Sequence, residues 1–272
     1  MTSLLILTSN GDEGGPFQDH FEEVVQRSLA DVRITASGTE TSVVADDVPV
    51  EEFDSVFLNP SPRTAIYARV LLESVHEGVE TNLAPSALNI MAEKHYLFKV
   101  LSERNVPVPK TLAFSTEKGL TNAEESIDFP AVAIVFDGFE RESVEQVEGT
   151  DDLLSAAERL EHGDNVMLVQ EKVEGDLYDT LFIDGETISV KVETEGWGID
   201  EEGNANYHSL PSEQEDTVQM AASAIGSDLC RIQTRGGKVI NVDSSPRLER
   251  FQDLSGKNVY GKVAELLKGG TG

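Results

Sequence analysis

The chain has 272 residues, of which 39% are hydrophobic, and this length can bury a substantial core in one large domain or in two to three small ones. It carries 50 acidic residues against 21 basic residues, so its formal net charge at pH 7 is −29. This charge argues against binding to nucleic acid or to anionic lipid, because both require lysine and arginine to replace counterions. Cys230 is the single cysteine, which excludes a disulfide framework and a cysteine-based zinc site.

The acidic residues are spread along the whole chain and do not form a tail. A uniformly anionic surface repels itself at low salt, whereas at 1 M salt the Debye length falls to about 3 Å and the repulsion is screened. We interpret the charge as halophilic adaptation to a cytosol near molar salt. An ordinary acidic protein with an acidic-surface role is the alternative. No stretch approaches the roughly 20 apolar residues of a membrane span, so we expect a cytoplasmic protein.

The N-terminal part alternates strand patterns with helix patterns. Ser3–Ser9 is an apolar run that predicts a buried strand, and the apolar residues between Phe17 and Leu29 recur at helical spacing. Val32–Ala36 and Ser55–Asn59 are predicted strands, and Thr64–Glu77 is a predicted helix. This order of elements favours a small parallel α/β sheet.

The middle of the chain continues with a predicted helix over Ala87–Arg104, which the prolines of Asn105–Pro109 end. Phe129–Phe136 is an apolar strand, and Thr150 is the expected N-cap of a helix that runs to Leu160. Val166–Val173 is a further predicted strand.

The C-terminal part is predicted to begin with a hairpin around the Asp184-Gly185 turn. A helix over Glu213–Ile225, ended by Gly226, follows it. A last helix is predicted over Asn258–Leu267, and the glycines after it are expected to fray.

Between those two helices lies the stretch with the clearest chemistry. Leu229–Thr234 and Lys238–Asp243 are predicted strands joined by a turn, and strict alternation places Asn241 and Asp243 on one face of the second strand. Two oxygen-bearing side chains on one face can share a hard cation, and Asp228 could supply a third ligand. The alternative is a hairpin whose polar residues face water.

Three segments resemble the ATP-grasp enzymes, and within them the RimK-like group that joins amino acids to carboxylates. Ile240–Leu248 (INVDSSPRL), preceded by Asp228, is similar to the metal-binding end of that family. Met91–Leu112 is similar to the helix that enters its nucleotide-binding unit, and Val166–Gly175 to its adenine-binding hinge strand.

The resemblance covers nearly the whole chain and implies a mixed α/β fold of ATP-grasp type with a Rossmann-like N-terminal domain. Residues 1–86 would form the domain that precedes the ATP-grasp unit, 87–164 its central lid subdomain, and 165–272 the C-terminal subdomain with the metal site. Relatives often form dimers or tetramers, so a homo-oligomer is expected.

The resemblance also implies a ligand for each part of the site. Candidate contacts to ATP are Lys94, Arg141, Gln170, Glu171, Val173, Glu174 and Lys191. Candidate ligands of Mg²⁺ are Asp228, Asn241 and Asp243, and Arg247 and His208 would lie on the acceptor side. The resemblance identifies no catalytic residue.

The implied function is ATP-dependent amide formation between a small-molecule or peptide carboxylate and an amine, through an acyl phosphate. Several positions depart from the family pattern. Ile134 stands where the family has a lysine on the phosphates, the loop after it is acidic, and the Asn241 and Asp243 ligand types are exchanged. Arg247 replaces a glycine. A degenerate ATP-grasp protein that binds a nucleotide or a protein without catalysis is therefore the alternative function, and an unrelated α/β fold is a third.

Overall fold

The computed structural model describes residues 2–9, 15–38, 40–61, 64–75, 78–120, 126–137, 140–158, 165–194, 197 and 204–269. Over these ranges the chain forms seven α-helices and four β-sheets, which confirms the mixed α/β class predicted from the sequence. None of the helices in the described ranges combines the length and the apolar character that a membrane crossing requires.

A parallel sheet forms the centre of the N-terminal part, as the alternating patterns predicted. The elements of this part are β1 (Ser3–Thr8), β2 (Glu23–Ser28), β3 (Val32–Ser37), β4 (Glu40–Ala45), β5 (Val48–Pro49), β6 (Ser55–Asn59), α1 (Ala65–Ser74) and β7 (Glu80–Thr81). Strands β2, β1, β6 and β7 lie side by side in that order and pair in parallel. Strands β3, β4 and β5 form a small antiparallel sheet. Strand β1 is buried along its whole length, as is usual for a parallel sheet that is covered on both faces.

The helix predicted between Phe17 and Leu29 is wrong. A 3-10 helix spans Gly15–Asp19, and the chain then runs extended as β2, parallel to β1. Val24 and Val25 are β-branched and suit a strand. The apparent helical spacing arises because apolar side chains from separate elements reach the core.

The helix predicted over Ala87–Arg104 is two helices, α2 (Pro85–Ala92) and α3 (Lys94–Glu103). Glu93 lies between them in an extended conformation, with φ −95° and ψ 93°, and this conformation interrupts the helix. The break makes Lys94 the first residue of α3.

The second sheet is antiparallel. Its part of the chain contains β8 (Thr111–Phe114), β9 (Ala131–Asp137), β10 (Glu140–Val147), α4 (Thr150–Ala157) and β11 (Asn165–Glu171). The strand order is β10, β9, β11, β8. One face packs against α4, and the other face joins an apolar cluster with the third sheet. Strand β11 pairs within this sheet although the sequence division assigned it to the C-terminal subdomain, and that division stays a prediction.

The third sheet carries most of the candidate site. It contains β12 (Leu177–Ile183), β13 (Glu186–Glu193), β14 (Asn204–Tyr207), β15 (Leu229–Arg235) and β16 (Lys238–Asp243), and the helices of this part are α5 (Ser212–Ile225), α6 (Leu248–Ser255) and α7 (Val259–Leu267). The strand order is β14, β13, β12, β15, β16, and every pair is antiparallel. Helix α5 packs on one face, and α6 and α7 pack on the other. The predicted turn at Asp184-Gly185 and the predicted end of α5 at Gly226, which is left-handed, are both confirmed.

A register shift in the last hairpin changes which side chains share a face. The pairing of β15 with β16 shifts between Gln233 and Thr234. Val239 and Val242 therefore both belong to the α5 side, and Ile240 packs in the opposite cluster. The strict alternation predicted for β16 is wrong at this point.

Candidate nucleotide and metal site

Asn241 and Asp243 end the edge strand β16 on one face of the third sheet, as predicted. The register sets Asn241 opposite Gln233, and Asp243 opposite Arg231. Asn241 is 5% exposed, and its Nδ2 donates to Gln233 Oε1 at 3.3 Å. Asp243 is half-buried, and its Oδ1 accepts a hydrogen bond from the Ser245 backbone N–H at 3.0 Å. The strand end thus presents one carboxylate beside two amide side chains.

The structure does not bring Asp228 to this pair. Asp228 precedes Arg231 by three residues, a separation of about 10 Å along an extended chain. It is exposed, and its backbone oxygen accepts from the Asp184 N–H at 2.8 Å in the hairpin turn. Across the part of the chain that the structure describes, no three His, Cys, Asp or Glu side chains form a group that could hold a metal ion.

A buried ion pair occupies the middle of the same face. Arg231 Nε and Nη2 donate to the two carboxylate oxygens of Asp179 at 2.7 and 3.0 Å, with side chains 2% and 1% exposed. Arg250 of α6 approaches the same carboxylate, with 3.8 Å between its Nη1 and Asp179 Oδ2. Asp179 lies opposite Gln233 in the sheet, so Asp179, Gln233 and Asn241 form a row across three strands. Two arginines thus approach the carboxylate at one end of this row.

Lys94, the first residue of α3, links this helix to strand β16. Its Nζ donates to the backbone oxygen of Val242 at 2.6 Å. A pocket of about 210 Å³ opens beside it, lined by Ala92, Glu93, Lys94, His95, Phe136, Val166 and Leu168. Ile134 pairs with Leu168 on the same face of the second sheet and is 1% exposed. The wall that this sheet presents to Lys94 is therefore apolar.

The candidate hinge residues Gln170 and Glu171, at the end of β11 in the second sheet, are held by their own partners. Gln170 is fully buried and donates from Nε2 to Thr111 Oγ1 at 3.0 Å. Burial of Glu171 tends to raise its pKa. A side-chain hydrogen bond from Lys238, a backbone hydrogen bond from Lys110 and the charges of both lysines lower the pKa by more than burial raises it. The pKa of Glu171 therefore lies below its usual value. The Glu171–Lys238 ion pair connects this segment to the third sheet.

Close backbone packing fixes the end of the hinge. Val173 is buried, whereas Glu174 is exposed and pairs with Lys172 at 3.3 Å. A Cβ on Gly236 would lie 2.2 Å from the Glu174 backbone oxygen, and Gly236 has φ +53°. Only a glycine fits at this contact, which positions the hinge against the last hairpin.

The remaining predicted residues belong to other parts of the fold than β16. Lys191 pairs in the sheet with Tyr178, on the opposite face, and its ion pair with Asp176 at 2.8 Å raises its pKa. The His208 ring stacks 5.8 Å from the Tyr178 ring. Arg247 immediately precedes α6 as its N-cap residue, in a left-handed conformation with φ 49° and ψ 51°. Arg141 belongs to β10, and its side chain lies outside the described part of the structure.

The structure thus brings Lys94, Asn241 and Asp243 to one strand end. Sequence reasoning missed Gln233, because its strand position opposite Asn241 depends on the pairing register. It also missed the pairing of Arg231 with Asp179, which are 52 residues apart in the chain. The unexpected acid in an otherwise apolar strand was the one sequence signal for this pair.

Comparison with known proteins supports the fold. No model of a known protein family matches the sequence, and no curated protein matches it. The ATP-grasp ligase PsnB, complexed with a phosphomimetic variant of a minimal precursor, Mg and ADP, matches with a TM-score of 0.74 at 15% identity over 98% of this chain and 97% of that chain. A RimK domain ATP-grasp protein from Sphaerobacter thermophilus has a TM-score of 0.70 at 14% identity, covering 97% of this chain and 99% of that chain.

D-alanine–D-alanine ligase from Bacillus anthracis, complexed with ATP, also matches, with a TM-score of 0.70 at 15% identity over 98% of this chain and 96% of that chain. These likenesses show that the chain has the ATP-grasp fold. They confirm the fold that the three resembling segments implied.

Proposed function

We propose that the chain binds ATP with Mg²⁺ in the cleft between the second and third sheets and joins a carboxylate to an amine, as a RimK-like ligase does. The observation that carries this proposal is the ATP-grasp fold over 98% of the chain, with Lys94, Asn241 and Asp243 at one strand end. The solved structure of PsnB holds Mg and ADP, and that of the D-alanine–D-alanine ligase holds ATP. Because fold alone does not define a reaction, the residues of the cleft must support it.

The donor set at this strand end fits one Mg²⁺. The Asp243 carboxylate and the Asn241 amide oxygen are hard ligands on one face, and Mg²⁺ in nucleotide sites commonly takes one or two carboxylates plus substrate phosphates. Asn241 and Asp243 would hold this ion, and its chemistry would be to offset the charge that develops on the transferred phosphoryl group. Among the described residues no group of three His, Cys, Asp or Glu side chains could hold a metal ion, and the assignment of Asp228 as a ligand remains a prediction.

In the proposed reaction the protein residues bind and orient ATP and the substrates. Lys94 contacts the phosphates, Gln170, Glu171, Val173 and Glu174 border the base and ribose, and Arg141 and Lys191 remain candidate phosphate contacts. A carboxylate oxygen attacks the terminal phosphorus and ADP leaves, which gives an acyl phosphate. The amine nitrogen then attacks the acyl carbon, phosphate leaves, and the nitrogen loses a proton.

The proposed substrates are a small-molecule or peptide carboxylate and an amine, with Arg247 and His208 on the acceptor side. PsnB and the macrocyclase MdnC of Microcystis aeruginosa have both been solved with precursor peptides, which supports a peptide as one class. A homo-oligomer and a halophilic cytoplasm remain predictions from the sequence.

Specific observations favour a second function, a binding module without the reaction. Gln233 and Asn241 are neutral side chains, whereas negatively charged ligands would bind a metal cation more tightly. The Asp179–Arg231 ion pair occupies the adjacent part of the same face. Ile134 is buried and uncharged, so this position supplies no cation on the side of the pocket that faces Lys94. Such a protein would hold a nucleotide or a protein partner in the same cleft.

One experiment separates the two functions. Purified protein in about 2 M KCl, which screens the net charge, is incubated with ATP, Mg²⁺ and pools of amino acids and peptides, and ADP and phosphate are measured. The ligase is supported if ADP release depends on a carboxylate substrate and if an amide product forms only when an amine is also present. Nucleotide binding in a parallel titration without ADP release from any pool supports the binding module and rejects the ligase.

A further inference from the structure

The outer side of α1 exposes two large apolar side chains one turn apart. Ile66 is 59% exposed and Val70 is 41% exposed, although the inner side of the same helix is buried in the core. Single exposed apolar residues are normal on a protein surface, but residues four positions apart on a helix are neighbours and form a patch. In the described ranges, the other large apolar side chains that are exposed each lie on a different element, at Tyr96, Leu154, Tyr207 and Met220.

The surface around this patch carries no net charge. Helix α2 packs beside α1, and Arg69 Nη1 donates to Asn89 Oδ1 of α2 at 3.0 Å. The exposed residues of these two helices are Ile66, Arg69, Val70, Glu73 and Ser86. Arg69 and Glu73 form an ion pair at 2.9 Å and balance each other. Because the whole chain has a net charge of −29, this neutral face differs from the average surface of the protein.

We infer that this face, formed by the outer sides of α1 and α2, is the contact between two copies of the chain. Two copies that each carry −29 repel wherever their acidic surfaces face each other, so their contact requires a face without net charge. A basic partner would instead be attracted to the acidic remainder of the surface. A neutral face with an apolar centre therefore fits a second copy.

The pattern of residues on α1 suits a twofold contact, in which the same surface of both copies takes part. With the two α1 helices antiparallel and the axis near Val70, the two Val70 side chains meet and Ile66 extends the apolar contact. Arg69 of each copy then lies within one turn of Glu73 of the other copy. The ion pair within each helix can thus be exchanged for one between copies, because its side chains are 44% and 48% exposed.

The size of the face indicates a weak dimer. Helix α1 has 10 residues and is about 15 Å long, and two adjacent helices are about 20 Å wide. A standard interface buries about 800 Å² on each partner, so this face falls at the low end and the dimer forms only at high protein concentration.

The position of the face leaves the candidate site open. Helices α1 and α2 pack in the cluster on the α5 side of the third sheet, whereas Asp179 approaches Arg250 of α6 on the other side. Association through α1 and α2 thus does not depend on the proposed ligase function.

Sedimentation equilibrium of the full chain in roughly 2 M KCl, over roughly 5 to 500 μM protein, measures this association. The mass is expected to rise from 29.6 kDa towards twice that value. Val70→Asp places two like charges at the axis and is expected to raise the dissociation constant at least tenfold. Leu154→Asp is the matched control, because Leu154 is 39% exposed on α4, and it should not change the association. Thermal unfolding of each variant establishes that it is folded.

A mixing experiment tests the pairing between copies. Arg69→Glu alone and Glu73→Arg alone each place like charges across the axis, and each is expected to weaken the dimer at least tenfold. An equimolar mixture of the two variants restores opposite charges in both contacts, so it is expected to recover the association. An ion pair confined to one helix gives no such recovery.

The outcomes separate this inference from the proposed function. A chain that stays at 29.6 kDa up to about 500 μM overturns the inference and leaves a different protein as the occupant of the face. A Val70→Asp dimer as tight as that of the wild type overturns it as well, and mixing without recovery overturns the twofold pairing of Arg69 with Glu73. A dimer that depends on Val70 supports the inference even if an ATP titration fails, and in that case only the ligase function is rejected.

Discussion

The buried pair of Asp179 and Arg231 offers the sharpest test of how the third sheet is held together. Asp179→Asn keeps the size of the side chain but removes its charge, and it leaves the guanidinium of Arg231 buried without its anion. With the charge centres about 4 Å apart and an effective dielectric constant near 20, the lost attraction is about 4 kcal/mol. Measured losses on breaking one partner of a buried pair are about 3–5 kcal/mol, which agrees.

Urea unfolding in about 2 M KCl, followed by fluorescence, measures the change in the free energy of unfolding. Because the chain contains several sheets, hydrogen exchange of β12 and β15 amides is needed to assign the loss to this sheet. The apolar double variant Asp179→Leu with Arg231→Met is expected to be far more stable than Asp179→Asn, because no charge is left buried. Glu103→Gln, in an exposed pair with Lys99, is the control and should change little. A loss below about 1 kcal/mol for Asp179→Asn, or a double variant as unstable as the single one, would refute the reasoning.

Three further substitutions and one labelling experiment test other parts of the account. Asp243→Ala should remove the Mg²⁺ dependence of ATP binding, and an unchanged titration would reject this ligand. Gln233→Asp adds a carboxylate opposite Asn241 and should tighten Mg²⁺-dependent ATP binding at least tenfold; no gain would argue against a metal at this face. Gly236→Ala should lower the free energy of unfolding by about 1–3 kcal/mol, because φ is +53° and the added Cβ meets a hinge carbonyl oxygen at 2.2 Å, and an unaltered urea midpoint would contradict this. Burial raises the pKa of the Cys230 thiol to about 12, so iodoacetamide at pH 8 should label it only in urea, as mass spectrometry can measure; rapid labelling of the native protein would show that the strand opens.

The elements that the sequence predicted well are those with strong local signals. Helix α5 has apolar residues at helical spacing and a left-handed glycine at its end, and both are visible in the chain. The Asp184-Gly185 turn likewise predicts the hairpin of β12 and β13 without any tertiary information.

The errors arose where tertiary contacts override local pattern. Strand β2 is extended because it pairs with β1, although the apolar spacing around Val24 suggests a helix. The helix break at Glu93 has no proline or glycine to mark it, yet it sets Lys94 against β16. Neither feature follows from periodicity.

The candidate site was predicted only in part, because some of its contacts depend on tertiary structure. Asn241 and Asp243 lie two residues apart on one strand, so their common face follows from the sequence alone. Their partners on β15 depend on the pairing register, which sets Gln233 opposite Asn241 and Arg231 opposite Asp243. The Asp179–Arg231 pair joins two strands that are distant in sequence, and the acid in β12 is a local signal that does not identify its partner.

The central claim is that the cleft binds ATP through Mg²⁺ held by Asp243. The most direct measurement is calorimetric titration of ATP into the wild-type chain and into Asp243→Ala, with and without Mg²⁺, in about 2 M KCl. The account predicts micromolar binding by the wild type that requires Mg²⁺, and binding at least tenfold weaker, without dependence on Mg²⁺, by the variant. Absence of binding at millimolar ATP, or equal affinity in the two proteins, would contradict it.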